Sequence, residues 1–310
     1  MAEETDARKV RAAFEEACPG VRVDRMSPMA GGYTSAHWRF DTDEGPLLLK
    51  VPVRNSDPEH LRHLLVATRL AAEAGLPVVR FRSFVPHAHE LGKPVLVLEF
   101  VDGEQASAAW TSLRAADRAR ISEEMGSLLG RLHAATGADR LTDALGGREV
   151  PSVAEEARNG LDEALGTLAD VRIDGGWSRV RERVQKRVED IGAVRPVLTH
   201  RDFYLDNVLV SGGSVRAVLD FEHARFSDQY SEFGKISELL FDWYPETRGP
   251  FLDGYRRWHE IDDGAWARIH AHCGLYNVVM CGYFARWEPE LVPEYTTRIE
   301  QWLREDERRG

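Results

Sequence analysis

The sequence predicts an α+β protein in two parts, a small β-rich region followed by a larger helical one. Three observations carry this. Short apolar or alternating runs crowd the first hundred residues, long amphipathic stripes follow Asp102-Gly103, and 310 residues with 43% hydrophobic side chains suffice for one large or two ordinary cores. The pattern changes most sharply at about residues 102 to 107, which divides the chain into 1–103 and 104–310.

In the first part, Trp38 to Phe40, Leu47 to Val53, Val78 to Phe84 and Val95 to Val101 read as strands between Gly-, Pro- and Asp-containing turns. One helix interrupts them at about Pro58 to Ala74, where Leu61, Leu64, Leu65, Thr68 and Ala72 share a face. In the second part, Ile121, Met125, Leu128, Leu129 and Leu132 form one helical stripe. Leu161, Leu165 and Leu168 form the next, and Trp177, Val180, Val184, Val188 and Ile191 a third. Between these and a last helical stretch, about Ser231 to Arg304, lie β-like pieces at Pro196 to Thr199, Val208 to Val210 and Val215 to Leu219. A Ser211-Gly212-Gly213 turn joins the latter two.

Charge and composition exclude several functions. With 40 Lys+Arg against 51 Asp+Glu, the net charge of −11 opposes nucleic acid and anionic membrane surfaces and favours a cationic small substrate. Three scattered cysteines, Cys18, Cys273 and Cys281, make neither a disulfide framework nor a paired metal site, so a reducing cytoplasm is expected. Met1 to Arg11 lacks the apolar core of a signal peptide, and no run reaches the roughly 18 to 20 apolar residues that span a bilayer. Only five of the basic residues are lysines, which draws attention to each of them.

The strongest chemical signal is His200-Arg201-Asp202-Phe203-Tyr204-Leu205-Asp206-Asn207, followed after a hairpin by Asp220-Phe221-Glu222. Phosphoryl transfer needs a carboxylate to orient or deprotonate the acceptor hydroxyl and hard oxygen ligands for Mg²⁺. Asp202 suits the first task; Asn207 and Asp220 suit the second, provided the hairpin returns the chain to the same ion. With eleven histidines, H-x-D-x₄-N has a random expectation of roughly 0.01 in a chain of this composition. The alternative is a polar loop capping a helix.

These motifs resemble the aminoglycoside phosphotransferase family, antibiotic kinases with a bilobal protein-kinase-like fold. The resemblance covers nearly the whole chain, with Thr199 to Asn207 and Leu219 to Phe221 its most specific part. It implies a nucleotide-binding N-lobe at 1–103, a C-lobe at 104–310 with the catalytic loop and acceptor region, and ATP or GTP with Mg²⁺ as cofactors. It implies catalytic roles for Asp202, Asn207 and Asp220, the last two on the metal.

Supporting pieces follow in the family's order. Ala30-Gly31-Gly32-Tyr33-Thr34-Ser35 resembles the nucleotide-positioning loop, where Gly31 and Gly32 admit a close phosphate and the Thr34 and Ser35 hydroxyls can donate to it. Lys50, after Leu47-Leu48-Leu49, resembles the lysine on the α/β phosphates. The family's pairing glutamate should fall near Leu64, where no acid stands; Glu59 lies about a turn early and is taken as the partner. Val95 to Gly103 resembles the strand and hinge whose backbone near Glu99 and Val101 binds adenine. His133 and His200 read as structural. Under the resemblance, ATP lies between the lobes with adenine at the hinge, and Asp202 orients a substrate hydroxyl for attack on the γ-phosphate.

Two substitutions depart from the family pattern: Arg201 stands where Gly is common, and Glu222 replaces the Gly of D-F-G. Tyr244-Pro245-Glu246 imitates the A-P-E of protein kinases, but Glu232 to Trp243 reads as a helix where an activation loop belongs. No P-loop or nucleophile elbow occurs. The pairs His60/His63, His87/His89 and His270/His272 with Cys273 read as surface or packing residues, each lacking a matched second half. The acceptor region carries Asp206, Glu222, Asp228, Glu232, Glu238 and Asp242, besides Trp243, Tyr244, Tyr276, Tyr283 and Trp287. Acids there suit a polycationic antibiotic, and rings suit a nucleoside, peptide or sugar face. An antibiotic kinase leads, ahead of a kinase of choline, homoserine or a sugar, and of a nucleotide-binding protein without catalysis.

Overall fold

Helix α1 (Ala7–Ala17) starts where the Asp6 side chain accepts from the Arg8 N–H at 2.9 Å and caps it. Its Val10, Ala13, Phe14 and Ala17 recur at helical spacing and are buried against Phe40, Leu49, Val51, Val95 and Val97. Phe14 stacks on Phe40 with ring centroids 3.9 Å apart. This helix adds to those expected from the sequence. The computed structural model describes residues 6–29, 35–53, 55–136 and 152–309.

The strands β1 (Val23–Met29), β2 (Ser35–Thr42) and β3 (Gly45–Pro52) precede helix α2 (Pro58–Glu73), and β4 (Phe81–Ala88) and β5 (Lys93–Glu99) follow it. They form one antiparallel sheet in the order β1-β2-β3-β5-β4. Strand β1 escaped the sequence reading because it is an edge strand with Pro28 and no hydrophobic alternation. On β3, Leu47, Leu49 and Val51 enter the α1 core, so the two-residue period turns Lys50 to the other face, between His37 on β2 and Leu96 on β5.

The chain divides into two compact units, Met1–Ala109 with Asp206–Glu222, and Trp110–Leu205 with His223–Gly310. The hairpin of Val208–Ser211 and Ser214–Val218 therefore belongs to the first unit. Its turn places Gly212 and Gly213 at φ 61° and 74°, a geometry two glycines adopt without Cβ strain. A short strand β6 (Glu104–Gln105) pairs with it, and the Val218 N–H donates to Pro77 O at 2.7 Å.

The second unit is helical, as expected. Its helices are α3 (Ala115–Ala135), α4 (Val153–Thr167), α5 (Gly176–Glu189), α6 (Arg248–Arg256), α7 (Asp263–Trp287) and α8 (Val292–Arg309). Leu161, Val180, Val184, Val278, Tyr295 and Trp302 form part of one core that joins α4, α5, α7 and α8. The stretch read as a helix at Glu232 to Trp243 is a turn of α-helix, Phe233–Ile236, running into a π-helical segment, Ser237–Asp242. Among the described residues no helix is long and apolar enough to cross a membrane.

Helices α3 and α6 meet backbone to backbone. A Cβ on Gly126 would lie 1.9 Å from the Phe251 carbonyl oxygen. Gly126→Ala should therefore destabilise the protein by about 2 kcal/mol despite the roughly 1 kcal/mol gain in helix propensity, because overpacking outweighs it. Gly166→Ala, with nothing within 4 Å of the added Cβ, should be neutral or stabilising. Urea midpoints of the two variants provide the comparison; equal midpoints would contradict the close crossing.

Candidate active site

In the first unit the site begins at Lys50, whose side chain is 11% exposed. An ammonium so buried needs a counter-charge. Its Nζ donates to Glu222 Oε1 and lies 3.5 Å from Asp220 Oδ1. The partner expected at Glu59 is thus corrected: Glu59 sits exposed in the first turn of α2, its amide bound by the capping Asp57. The role passes to Glu222, the residue that replaces the Gly of D-F-G.

Register joins the two candidate metal ligands. Val208 pairs with Val218, and the Leu219 N–H donates to Asn207 O at 2.8 Å, so Asn207 and Asp220 stand at the same end of the hairpin. Asp220 has φ 60°, a left-handed conformation that a non-glycine residue holds at a cost of about 1–2 kcal/mol. Its Oδ1 is buried without a hydrogen-bond partner among the described residues. A buried carboxylate oxygen on a hairpin end that also carries an amide residue offers oxygen donors of the kind a hard divalent cation takes.

The remaining nucleotide-side residues fall as follows. Ser35 is buried at the start of β2, opposite Pro52. Glu99 ends β5 with its N–H on Arg80 O, and the Phe100 N–H is on Pro46 O; Val101 follows. Gly31, Gly32 and Thr34 lie outside the described residues.

In the second unit, strand Val197–Thr199 pairs with Arg225–Ser227 and delivers His200, Arg201 and Asp202. Arg201 has φ 69°, at the position where the family pattern favours Gly. The strain is held by Glu232, which is 1% exposed and accepts from the His200 N–H and, at 3.0 Å, from the Arg201 N–H. Burial alone would raise the Glu232 pKa, but the neighbouring His133, its Nε2 3.7 Å from Oε1, and the Arg201 charge help to outweigh it, and the carboxyl lies below its ordinary value. His133 also meets the Tyr255 hydroxyl at 3.0 Å. The Asp202 N–H donates to His200 Nδ1 at 3.2 Å, which fixes that nitrogen as an acceptor. His200 and His133 are thus structural, and the Asp202 carboxylate receives a hydrogen bond from Lys235 Nζ.

Glu232 was expected only as an acceptor-region acid, and Lys235 was not expected beside Asp202. The signal for Lys235 was the scarcity of lysine itself. Four of the acceptor-region acids, Glu222, Asp228, Glu232 and Glu238, are buried: Asp228 is wholly so, binding Arg268 Nε at 3.1 Å and His272 Nε2 at 2.9 Å. His270 likewise packs on Trp302 and bonds Asp306 at 3.2 Å.

Asp228 gives a pH prediction. Burial would raise its pKa, but His272 and Arg268 override this and lower it to about 2. A depressed carboxyl contributes stability above its unfolded pKa and loses it as pH falls through the folded one. The stability gap between wild type and Asp228→Asn should therefore shrink by about 2 kcal/mol from pH 5 to pH 2, read from urea midpoints. A gap independent of pH would contradict the assignment.

A β-rich unit carrying a clamped strand lysine and an Asn/Asp hairpin, with a helical unit carrying an H-x-D loop, defines the class: a protein-kinase-like fold. The model of the family described as "Phosphotransferase enzyme family" matches residues 25–272, and the chain belongs to that family. Among solved structures, aminoglycoside phosphotransferase APH(4)-Ia is 16% identical at a TM-score of 0.72, covering 96% of this chain and 98% of that one. Macrolide 2′-phosphotransferase MphH from Brachybacterium faecium is 20% identical at 0.64, covering 95% and 97%. A homoserine kinase of Zymomonas mobilis subsp. mobilis is 24% identical over 219 residues, 66% of this chain. The chain spans 61% of the length of that relative.

Proposed function

We propose that the protein is an O-phosphotransferase that uses ATP or GTP to phosphorylate a hydroxyl of a small molecule. The observation that carries this reading is the buried Lys50 between the Glu222 and Asp220 carboxylates, an ammonium fixed on a strand where phosphates are expected. Ser35 with Gly31, Gly32 and Thr34 would complete the phosphate contacts, and the backbone at Glu99 and Val101 would take the base. Asn207 and Asp220 would hold Mg²⁺, which when bound supplies positive charge against the developing phosphate charge. Asp202 orients the acceptor hydroxyl and receives its proton.

For the acceptor, an antibiotic of aminoglycoside or related type is the leading reading. It is supported by similar structures described with hygromycin B or kanamycin bound, and by the macrolide enzyme. A metabolite kinase of the homoserine type is the second, favoured by the homoserine kinase relative. A coupled screen for ADP release from ATP, or GDP release from GTP, across antibiotics and small alcohols tests both. Asp220→Ala should lose Mg²⁺-dependent nucleotide binding; undiminished binding in that variant would remove the metal assignment.

A further inference from the structure

Around the H-x-D loop of the second unit the cations Lys235 and Arg225 are paired, and Arg201 is not. Lys235 donates to the Asp202 carboxylate. Arg225 Nε lies 2.7 Å from Glu156 Oε1, and the other Glu156 oxygen accepts from the Ser227 hydroxyl at 2.8 Å. The Arg201 N–H is bound by Glu232 at 3.0 Å, but no described residue gives its guanidinium a hydrogen bond or an ion pair. The residue is partly exposed and lies in the field of Glu156 on α4, Tyr276 on α7, Arg225 and Glu232. Burial first, then the Arg225 charge, lower its pKa to about 10, so at neutral pH it is a full cation with no counter-ion in contact.

Two costs meet at this residue. A guanidinium drawn out of water without acceptors for its N–H donors is unfavourable, and the backbone at φ 69° is one that glycine adopts freely and other residues do not. Glycine would remove both costs, and no hydrogen bond or ion pair of the side chain within the described residues offsets either. A strained and unpaired group next in sequence to Asp202 points to a partner that arrives with the acceptor. Its chemistry follows from the charge. The planar fork donates two parallel N–H bonds to a carboxylate. A phosphate dianion would call for a second cation, and Arg225 and Lys235 already hold carboxylates.

We propose that Arg201 is a specificity-determining residue that binds a carboxylate of the acceptor, so that the acceptor is a hydroxy acid presenting its hydroxyl to Asp202. This rests on the phosphotransferase reading and narrows its acceptor class to carboxylated alcohols. An amino group on the acceptor is immaterial to the contact.

The test compares full-length wild type, Arg201→Gly and Arg201→Lys. Homoserine, 4-hydroxybutyrate and 3-amino-1-propanol, which is homoserine without its carboxylate, are titrated calorimetrically in the presence of AMP-PNP and Mg²⁺. Wild type should bind both hydroxy acids about tenfold or more tightly than 3-amino-1-propanol, the worth of a charge-assisted bidentate contact. Arg201→Gly should lose that preference while its urea midpoint stays level with wild type or rises, because glycine suits the left-handed backbone. Arg201→Lys keeps the charge without the fork and should fall between. A merely structural arginine would give the reverse, a lower midpoint with the preference intact. In ADP-release assays the ratio of kcat/KM on the hydroxy acids to that on 3-amino-1-propanol should drop by about tenfold in Arg201→Gly, chiefly through KM. The proposal is overturned if wild type binds neither hydroxy acid, if it shows no preference for them, if the preference survives in Arg201→Gly, or if glycerol 3-phosphate binds more tightly than both. Preferential binding of the hydroxy acids without ADP release from any compound removes the phosphotransferase reading and keeps the anion contact. ADP release with kanamycin alone keeps that reading and removes the role of Arg201.

Discussion

Asp202→Ala should lower the ADP-release rate by about 10³-fold while nucleotide affinity stays within threefold of wild type. The split follows from where the residues lie. Asp202 belongs to the second unit, on a loop whose backbone is fastened by Glu232 and His200, whereas Lys50, Glu222, Asn207 and Asp220 all belong to the first. Deleting the carboxylate removes the group that orients the acceptor hydroxyl and leaves the nucleotide-side residues untouched. Asp202→Asn keeps the side-chain shape but cannot take a proton, so it should fall nearly as far. Turnover within tenfold of wild type in Asp202→Ala would remove its role as the acceptor-side carboxylate. Fluorescent-nucleotide titration beside the ADP assay separates the two readouts.

What the sequence disclosed, and what it hid, follow from the range of the interactions involved. The H-x-D-x₄-N spacing, the lysine after three leucines and the hairpin turn are local patterns, and each stands out within a dozen residues. The partner of Lys50 lies 172 positions away, and that of Asp202 33 positions away. No periodicity connects such pairs, so an acid near the expected helix was chosen although the sheet face of Lys50 looks to the hairpin's end. Arg201 was noticed as a departure from Gly, but its cost became intelligible only with φ 69° and the two amide bonds to Glu232. Glu232 itself reads as one more helix acid until its burial is known. The unit division is similar: the first unit runs to Ala109, and the crossings after Leu205 and Glu222 leave no compositional trace.

Glu222→Ala provides the second large effect and decides between two glutamates. The Lys50 and Glu222 side chains are 11% and 8% exposed, so removing the carboxylate leaves a buried ammonium whose remaining acidic partner among the described residues is Asp220 at 3.5 Å. Breaking a buried pair in this way costs about 3–5 kcal/mol, and the remaining attraction draws Lys50 and Asp220 together, away from both phosphate and metal. Nucleotide affinity should drop at least tenfold and the urea midpoint should fall. Glu222→Gln, which can still accept from Lys50 but carries no charge, should lie between. Glu59→Gln, on an exposed first turn of α2, should leave both quantities within experimental scatter. Binding must be measured where circular dichroism shows each variant folded, so that lost affinity is not lost protein. If Glu59→Gln weakened nucleotide binding and Glu222→Ala did not, the lysine would be oriented from α2 after all, and the substitution of glutamate for glycine after Asp220-Phe221 would need another explanation.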